Sequence, residues 1–460
     1  MSASLAQAIR DAGGAIPLLK NNRVAIPGIP QVPAEYSNWR DEQLSWRNAA
    51  SLFDQSHHMV DYNVKGPDAL KVLTKLGINS FENFPVDVAK QFVSVGYDGY
   101  VIGDEILFHL DDDEYQLVGQ PAVIDWVQYN IERGDYDVTT WRDDNSLIRQ
   151  GDPVLYRYQI QGPRAVDVIR TAIGSEPEKL KFFHMTHFTI GGKDVRALRH
   201  GMVGQPGYEL WGPWEDNEAV LAALLEAGEE FGLERVGRVA YLTTAVESGW
   251  HALPLPAVYE DERLADYREW TKGRSFLGSL TVGGSFTTED VRDYYFTPYD
   301  LGYGRIISYD HDFIGRDVLE KWEAEGRHEK RLKVTLVWNE DDVKAAQGSW
   351  FEEGMPAKFM GMPAGGYAAA QYDQVLIGDE LVGVSTSPSY FAVERTFLSR
   401  AYLTTAHSEP GTEVEIVWGE DPKTSKLLVE EHRQVRIRAT VAPSPFTSFA
   451  RTSYRDNANA

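Results

Sequence analysis

The stretches that decide the fold are VKGPDALKVL at residues 64–73 and IQGPRAVDVI at residues 160–169. The two stretches lie 96 residues apart and share one pattern: apolar residues, Gly-Pro, and then apolar residues at helical spacing. The apolar residues before Gly-Pro end a strand, and glycine allows a turn. Proline suits the first helical position, because the N–H group that it lacks would have no partner within the helix there. The chain is therefore predicted to contain two related strand–turn–helix units.

The segments around these units divide the chain into three predicted domains, 1–150, 151–330 and 331–460. Residues 91–119 alternate short apolar runs with turn signals, which predicts an antiparallel meander, and a helix is expected over residues 121–132. One helix is predicted to begin near Gly237 and to carry Tyr241 and Val246. Residues 251–330 form a long irregular connection, in which DFIGRDVLEKW at 312–322 is a weaker third version of the repeat. From residue 331 most segments are strand-like, which predicts a C-terminal β-barrel or sandwich.

The composition excludes several classes of function. Lys and Arg number 45 against 69 Asp and Glu, giving a net charge of −24, so a nucleic-acid or anionic-membrane partner is not expected. No signal peptide or membrane span is predicted, and a cytoplasmic enzyme is expected. The chain has no cysteine, which excludes thiolate chemistry, and His184 and His187 alone do not predict a metal site.

Several motifs, taken in order, resemble the aminomethyltransferase (glycine-cleavage T-protein) superfamily. They are LFDQSHHM at 52–59, the two Gly-Pro elements, GQPGYELW at 204–211 and DFIGRDVL at 312–319. The resemblance implies an α+β fold, a three-domain cloverleaf in which two related α/β units and a C-terminal β-barrel surround a central folate pocket.

Longer strings resemble one branch of this superfamily, the tetrahydrofolate-dependent aryl O-demethylases that act on vanillate and syringate. These strings include SNWRDEQLSWRNAASLFDQSHHMVD at 37–61 and VESGWHALPLPAVY at 246–259. The resemblance implies an enzyme that moves a methyl group from a small aromatic ether to tetrahydrofolate. A monomer or small homo-oligomer is expected.

The same resemblance implies the catalytic residues. Tyr241 matches a tyrosine placed against the ether oxygen, where a phenol can protonate or stabilise the leaving phenolate. His58 matches a histidine in the same pocket, and its neighbour His57 is a candidate for substrate contact. Without the resemblance, Tyr241 would be interpreted as a packed helix aromatic and either histidine as structural.

The resemblance also implies a folate site. Glu209 matches a carboxylate that can accept two N–H bonds from the pterin edge. Gln159 and Trp250 match an amide and an aromatic wall, although core packing is the alternative for Trp250. Arg199 is a candidate for the glutamate tail of the folate or for a structural carboxylate.

Three departures from the family patterns bear on the substrate. Gly103 stands where glycine-cleavage proteins carry a catalytic aspartate, so aminomethyl transfer is disfavoured. Gln120 stands where enzymes for vanillate-type acids carry an arginine, and a neutral amide cannot form a charged bidentate pair with a carboxylate. The segment NNRVAIPGIP at 21–30 lacks their tyrosine and predicts an apolar wall that includes Ile26, Pro27 and Ile29. A donor less acidic than vanillate, such as a neutral methoxyphenol or a lignan, is predicted.

Three alternatives remain open at this stage. A methylenedioxyphenyl substrate would also transfer one carbon to folate, but at the methylene level. A folate-binding protein without catalysis would bind the same ligand without turnover. A dimethylsulfoniopropionate-type demethylase would need an aromatic or acidic cage for its sulfonium donor.

Overall fold

The computed structural model describes residues 4–21, 29–326, 330–422, 426 and 429–452. Within them the strands form a five-stranded sheet, a six-stranded sheet, a two-stranded ribbon and a closed six-stranded barrel. Helices and strands are both abundant, which confirms the predicted α+β class. The closed barrel decides between the barrel and the sandwich that the sequence allowed for the C-terminal part.

The secondary-structure elements have the following bounds. The strands are β1 (Ala50–Asp54), β2 (Val60–Lys65), β3 (Ala89–Val95), β4 (Val101–Asp111), β5 (Glu114–Gly119), β6 (Thr139–Asp143), β7 (Leu155–Gln161), β8 (Met185–Ile190), β9 (Lys193–Arg199), β10 (Gly207–Pro213), β11 (Leu233–Val236), β12 (Val282–Gly283), β13 (Arg331–Trp338), β14 (Ala370–Gln371), β15 (Asp373–Ile377), β16 (Glu380–Phe391), β17 (Thr396–Thr404), β18 (Glu413–Trp418) and β19 (Val435–Ala442). The α-helices are α1 (Leu5–Ala12), α2 (Ala15–Asn21), α3 (Trp39–Asn48), α4 (Ala69–Leu76), α5 (Pro121–Arg133), α6 (Ala165–Ile173), α7 (Asn217–Gly228), α8 (Arg238–Tyr241), α9 (Thr244–Glu247), α10 (Ala265–Trp270), α11 (Phe276–Ser279), α12 (Arg316–Ala324), α13 (Glu340–Gly348) and α14 (Ser448–Thr452).

Both Gly-Pro elements form the predicted strand–turn–helix, from β2 to α4 and from β7 to α6. Gly66 and Gly162 have φ values of 141° and 127°. A Cβ on Gly162 would lie 2.6 Å from the carbonyl oxygen of Ala49, so glycine is required there. The prediction that each proline is the first helical residue is wrong. The prolines lie in a turn in which the Ala69 N–H donates to the Gly66 carbonyl at 2.9 Å, and each helix begins two residues after its proline.

An approximate two-fold symmetry, in which each unit takes the place of the other, relates two units of the chain. They are β2–α4–β3–β4–β5 and β7–α6–β8–β9–β10. The Ala89 N–H donates to the Phe183 carbonyl at 2.8 Å, and the Met185 N–H donates to the Asp87 carbonyl at 2.8 Å. The two donors, Ala89 and Met185, lie 96 residues apart in the chain, and so do the two acceptors, Asp87 and Phe183. Asp87 and Phe183 also share a left-handed backbone, with φ values of 61° and 62°. The repeat seen in the sequence is therefore a structural symmetry.

Each unit's sheet has one face on helices and one face on the other sheet. In the six-stranded sheet, β11-β1-β7-β10-β9-β8, the helix-side core contains Tyr158, Ile160 and Leu210. The inner faces meet in a smaller cluster that takes equivalent positions from both units, namely Ala89, Phe108 and Val118 from one sheet and Met185, Leu198 and Trp211 from the other. Polar residues that lie on the inner faces are therefore buried between the two units.

The strand order mixes the two predicted N-terminal domains. Strand β1, inside the predicted range 1–150, pairs with β7 and β11 of the other sheet. The five-stranded sheet, β3-β4-β5-β2-β6, instead shares its core with the connection after residue 250, through Val258, Tyr267 and Tyr294. The ranges 1–150 and 151–330 remain predictions, and the structure shows that chain segments cross between the two units.

Two further predictions concern the second half of the chain. The third version of the repeat leads into α12, and its Gly315 has a φ of 88°. The prediction of a single helix that begins near Gly237 is wrong, because α8 and α9 are separate short helices. The Thr243 and Thr244 hydroxyls donate to backbone carbonyls three residues earlier, at 2.7 and 2.8 Å, and such bonds compete with continuous helical pairing.

Candidate active site

A row of side chains crosses the inner face of the six-stranded sheet. Phe53 on β1 is paired in register with Gln159 on β7, which is paired with Glu209 on β10. Residues opposite each other in antiparallel strands project to the same face, so the three side chains stand side by side. All three are at most 2% exposed. Gln159 and Glu209, two of the residues predicted to bind folate, are thus neighbours.

Glu209 is held by a buried arginine that the sequence did not single out. Arg157 Nη1 donates to Glu209 Oε1 at 2.5 Å, and Nη2 donates to Asp61 Oδ1 of the opposite sheet at 2.7 Å. The guanidinium packs against the rings of Phe108 and Trp211, 5.4 and 5.1 Å from their centroids, and these two rings contact each other edge-on. Burial raises the pKa of both carboxyls, and the single guanidinium charge opposes this rise.

Two glutamines of β7 hold the loop that follows β9. Gln159 Nε2 donates to the His200 carbonyl at 3.0 Å, and Gln161 Oε1 accepts from the Met202 N–H at 2.7 Å. Among the described residues, the buried Gln159 Oε1 has no hydrogen-bond partner. A buried acceptor without a partner is costly, so this oxygen is available to a donor group on a ligand.

Tyr241, the predicted acid, packs against the other end of the row. Its ring meets Phe53 edge-on with centroids 5.4 Å apart. Its hydroxyl lies 3.1 Å from His58 Nε2 and accepts a bond from Gln55 Nε2 at 3.2 Å. The same hydroxyl also lies 3.6 Å from Met202 Sδ. Tyr241 and His58 are therefore brought together, with Gln55 as a third member of the group.

Both members of this pair are neutral near pH 7. Burial raises the pKa of the Tyr241 phenol above its ordinary value of 10.0, although the Gln55 hydrogen bond opposes the rise. Burial, with a smaller effect from His57, lowers the pKa of His58 from 6.5 to about 4. In the described part of the chain His58 Nδ1 is buried without a partner. A protonated phenol beside a neutral imidazole can donate its proton to a developing anion.

Trp250 projects from the loop after α9 and is held at both ends. Its Nε1 donates to Asp104 Oδ2 at 2.8 Å, and the Tyr303 hydroxyl donates to the same oxygen at 2.7 Å. Arg400 of the barrel donates to the Trp250 carbonyl. The side chain is nevertheless 41% exposed, so core packing does not account for it and the indole can contact a ligand.

Gln120 caps α5 from the end of β5. Its N–H donates to Glu105 Oε2 at 3.0 Å, and this oxygen occupies the space where a Cβ on Gly119 would lie. Burial raises the pKa of Glu105 well above its ordinary value, and neighbouring Asp104 adds to the rise. The antiparallel pairing of Val60 with Gly119 places Gln120 next to the turn that carries His58.

Three other candidates lie apart from this group. Arg199 pairs with Tyr208, so it projects to the sheet face opposite Glu209, where it lines a small depression with Phe182. His57 points away from Tyr241, since its Nδ1 lies 3.0 Å from Ser146 Oγ, and burial lowers its pKa. Ile29 is buried, whereas Ile26 and Pro27 lie outside the described residues.

The structure adds Arg157, Gln55 and Asp104 to the residues that shape the site. The 96-residue repeat was the signal that could have identified Arg157, because it makes Arg157 the counterpart of Asp61. Gln55 lies inside the LFDQSHHM motif, and Asp104 directly follows Gly103. In the part of the chain that the structure covers, no three His, Cys, Asp or Glu side chains form a metal-binding group, and no helix is long and apolar enough to cross a membrane.

The sequence is similar to a known domain family and to known enzymes. Residues 28–254 match the GCVT N-terminal domain family. The chain is 44% identical to a syringate O-demethylase from a Sphingobium species over 99% of both chains. It is 30% identical to a sesamin methylene transferase from a Sinomonas species over 93% of both.

A solved structure shows the same fold. The glycine cleavage system aminomethyltransferase T from Bartonella henselae superposes with a TM-score of 0.61 at 18% identity, covering 90% of this chain and 91% of that one. This likeness confirms the predicted T-protein type of architecture. Because the sequence similarity to the Sphingobium enzyme spans nearly all of both chains, the chain belongs to the GCVT-type aminomethyltransferase family.

Proposed function

We propose that the protein is a tetrahydrofolate-dependent one-carbon transferase that demethylates an aryl methyl ether, releasing the phenol and 5-methyltetrahydrofolate. The observation that carries this function is the neutral Tyr241–His58 pair at one end of the Phe53–Gln159–Glu209 row. It puts a proton donor beside a set of hydrogen-bonding groups that suits a pterin. The 44% identity to a syringate O-demethylase supports the same activity.

The buried polar groups fit the pterin edge of a folate. A carboxylate has about four lone-pair positions, so the Arg157 bond leaves Glu209 able to accept ligand N–H groups. Gln159 Oε1 offers a second acceptor that has no partner among the described residues. Glu209 and Gln159 would hold the pterin, and the exposed indole of Trp250 would cover an aromatic part of the folate. Bound tetrahydrofolate would supply N5 as the nucleophile that takes the methyl group.

Tyr241 supplies the proton that the reaction needs. When the methyl–oxygen bond breaks, its electron pair stays on the aryl oxygen, and the Tyr241 hydroxyl donates its proton there. The raised pKa keeps Tyr241 protonated until that charge develops. Tyr241 would regain its proton from the folate nitrogen that takes the methyl group, so the cycle would consume no acid.

Gln55 and His58 orient the phenol. The Gln55 amide donates to the Tyr241 oxygen, which leaves the hydroxyl proton free to point elsewhere. His58 Nε2 is a neutral acceptor for that proton in the absence of a substrate. An ether oxygen that enters the site replaces His58 as acceptor, so positioning costs little rearrangement.

The substrate is a methoxyaromatic compound less acidic than vanillate. Gln120, at the end of β5, supplies an amide rather than a guanidinium group to the aromatic ring's substituent. An amide hydrogen-bonds to hydroxyl, methoxy and carboxyl groups alike but gives a carboxylate no charge pair. Neutral methoxyphenols are the expected substrates, and syringate, which carries a carboxylate as vanillate does, is tested beside vanillate because of the Sphingobium relative.

Methylene transfer is the second candidate function, supported by the 30% identity to a sesamin methylene transferase. In that reaction a methylenedioxyphenyl ring opens and gives a catechol and 5,10-methylenetetrahydrofolate. The same Tyr241 proton would go to a ring oxygen. The oxidation level of the product folate separates the two reactions.

The test is incubation with tetrahydrofolate and a panel of methoxy- and methylenedioxy-aromatics, followed by mass spectrometry of both products. A phenol formed in equal amount with 5-methyltetrahydrofolate is the expected result. A catechol with 5,10-methylenetetrahydrofolate would favour the second candidate. Folate binding without turnover of any aromatic would instead identify a non-catalytic binding protein.

A further inference from the structure

We propose that Arg157 is a positioning residue for the folate site, which holds Glu209 ionised and correctly oriented while it ties the two units together through Asp61. This inference rests on the proposed function, because it concerns how Glu209 binds folate. The Arg157 guanidinium bonds to Glu209 and Asp61 rather than to Tyr241 or His58, so its effect is expected on folate affinity and on the dependence of that affinity on pH.

The surroundings of Arg157 fix its guanidinium group in one orientation. It is 2% exposed, and it packs against the adjoining rings of Phe108 and Trp211. Each of its two Nη atoms serves a different carboxylate, Glu209 in its own sheet and Asp61 in the facing sheet. A planar group that packs against two rings and bonds to two acceptors cannot turn without losing both bonds.

The two-fold symmetry shows that this arrangement is specific to one unit. Arg157 and Asp61 occupy equivalent positions, 96 residues apart. The pair Gln159 and Glu209 corresponds to the pair Asn63 and Gln116, which are matched in the same register between β2 and β5. The first unit therefore has two neutral amides where the second has an amide and a carboxylate. Only the second unit combines a carboxylate with its own arginine, and only it is equipped to bind an edge rich in N–H donors.

The charge balance explains why Glu209 needs Arg157. The charged or titratable groups that face it are Arg157, Asp61 and Tyr241, with Asp143 beyond Asp61 in an ion pair with Arg149. Arg157 is the only cation in direct contact with Glu209 among the described residues. Without it, burial and the carboxyl of Asp61 both favour protonation of Glu209. A protonated carboxyl loses acceptor capacity toward the pterin.

The first experiment measures the Kd of the full-length protein for tetrahydrofolate by anaerobic calorimetry between pH 6 and 8.5. Arg157→Met is expected to weaken binding by about tenfold or more at pH 7, with recovery as the pH rises because Glu209 then ionises. Arg157→Lys keeps a positive charge but not the two Nη groups that bond Glu209 and Asp61. It is expected to bind folate more weakly than the native protein, with a Kd that does not change with pH. In Arg157→Met combined with Glu209→Gln, the pH dependence is expected to vanish.

A charge exchange separates positioning from simple stabilisation. Asp61→Arg combined with Arg157→Asp keeps an ion pair between the sheets but puts a carboxylate next to Glu209. We expect its thermal stability to exceed that of Arg157→Asp alone, while folate binding stays lost. If Arg157→Met does not fold, Arg157→Lys and the exchange variant carry the test.

The outcomes that would overturn the inference are distinct from those that would overturn the function. Native-like Kd and a flat pH profile in Arg157→Met, or restored folate binding in the exchange variant, would show that Arg157 only stabilises the fold. If the native protein itself does not bind tetrahydrofolate, the proposed function fails first, whatever the Arg157 variants do.

Discussion

Replacing Tyr241 with phenylalanine removes one hydroxyl and tests the proposed chemistry directly. The hydroxyl is the only group lost, since the ring contact with Phe53 is retained. General acids contribute about 10²- to 10⁴-fold to catalysed rates, so kcat is expected to fall by that factor, or about 3–5 kcal/mol in activation free energy. His58 Nε2 loses its partner, which costs about 1–3 kcal/mol of stability.

The assay is turnover of the best methoxyaromatic substrate of the panel with tetrahydrofolate, quantified by chromatography, with folate Kd measured separately. We expect Tyr241→Phe to bind folate as the native protein does. Tyr156→Phe is the matched control, because the Tyr156 hydroxyl is buried on the helix-side face and has no hydrogen-bond partner in the described residues. Its activity is expected to be unchanged. If Tyr241→Phe keeps more than about a tenth of the native kcat, the assigned role of the phenol is refuted.

Other predictions concern binding, specificity, pH and the turn of the repeat. Glu209→Gln removes the charge from the pterin acceptor and is expected to raise the folate Kd about 10- to 100-fold by calorimetry; an unchanged Kd would place the pterin elsewhere. Gln120→Arg is expected to raise kcat/KM for vanillate relative to a neutral methoxyphenol, and an unaltered ratio would remove Gln120 from the substrate site. His58 has a native pKa of about 4, below its unfolded value, so the unfolded chain takes up the proton first; stability from this residue is complete above pH 6.5 and is lost as the pH falls toward 4. As the pH falls across this window, the melting temperature of the native protein should fall more than that of His58→Asn. Parallel curves of melting temperature against pH would contradict this expectation. Gly162→Ala is expected to lower the melting temperature clearly because of the Ala49 carbonyl, whereas Gly348→Ala, with no atom within 4 Å of the added methyl, should not.

Local patterns in the sequence predicted most of the fold. The Gly-Pro elements, the meander over 91–119 and the helix at α5 depend on neighbouring residues, and the structure confirms them. The course of β1 into the other sheet could not be predicted, because it depends on pairing with β7 and β11, which are about 100 residues or more away in the chain. The break between α8 and α9 depends on threonine side chains that could also have pointed to solvent.

The candidate site was predictable in part. Tyr241, His58, Gln159 and Glu209 came from family resemblance, and the structure groups them as two contacting pairs. Arg199 is close to Glu209 along the strands but lies on the other face, because a shift of one residue in register reverses a side chain. Arg157 was missed because its partners belong to two sheets whose docking the sequence does not display.

The pairing of Asp61 with Arg157 gives the interface between the two repeats a polarity. Two copies of the first unit, joined in the same way, would bring one carboxylate against another at this buried point. Two copies of the second unit would oppose two guanidinium groups. Only the mixed pair brings opposite charges into contact across the interface, so the duplicated halves can no longer substitute for one another.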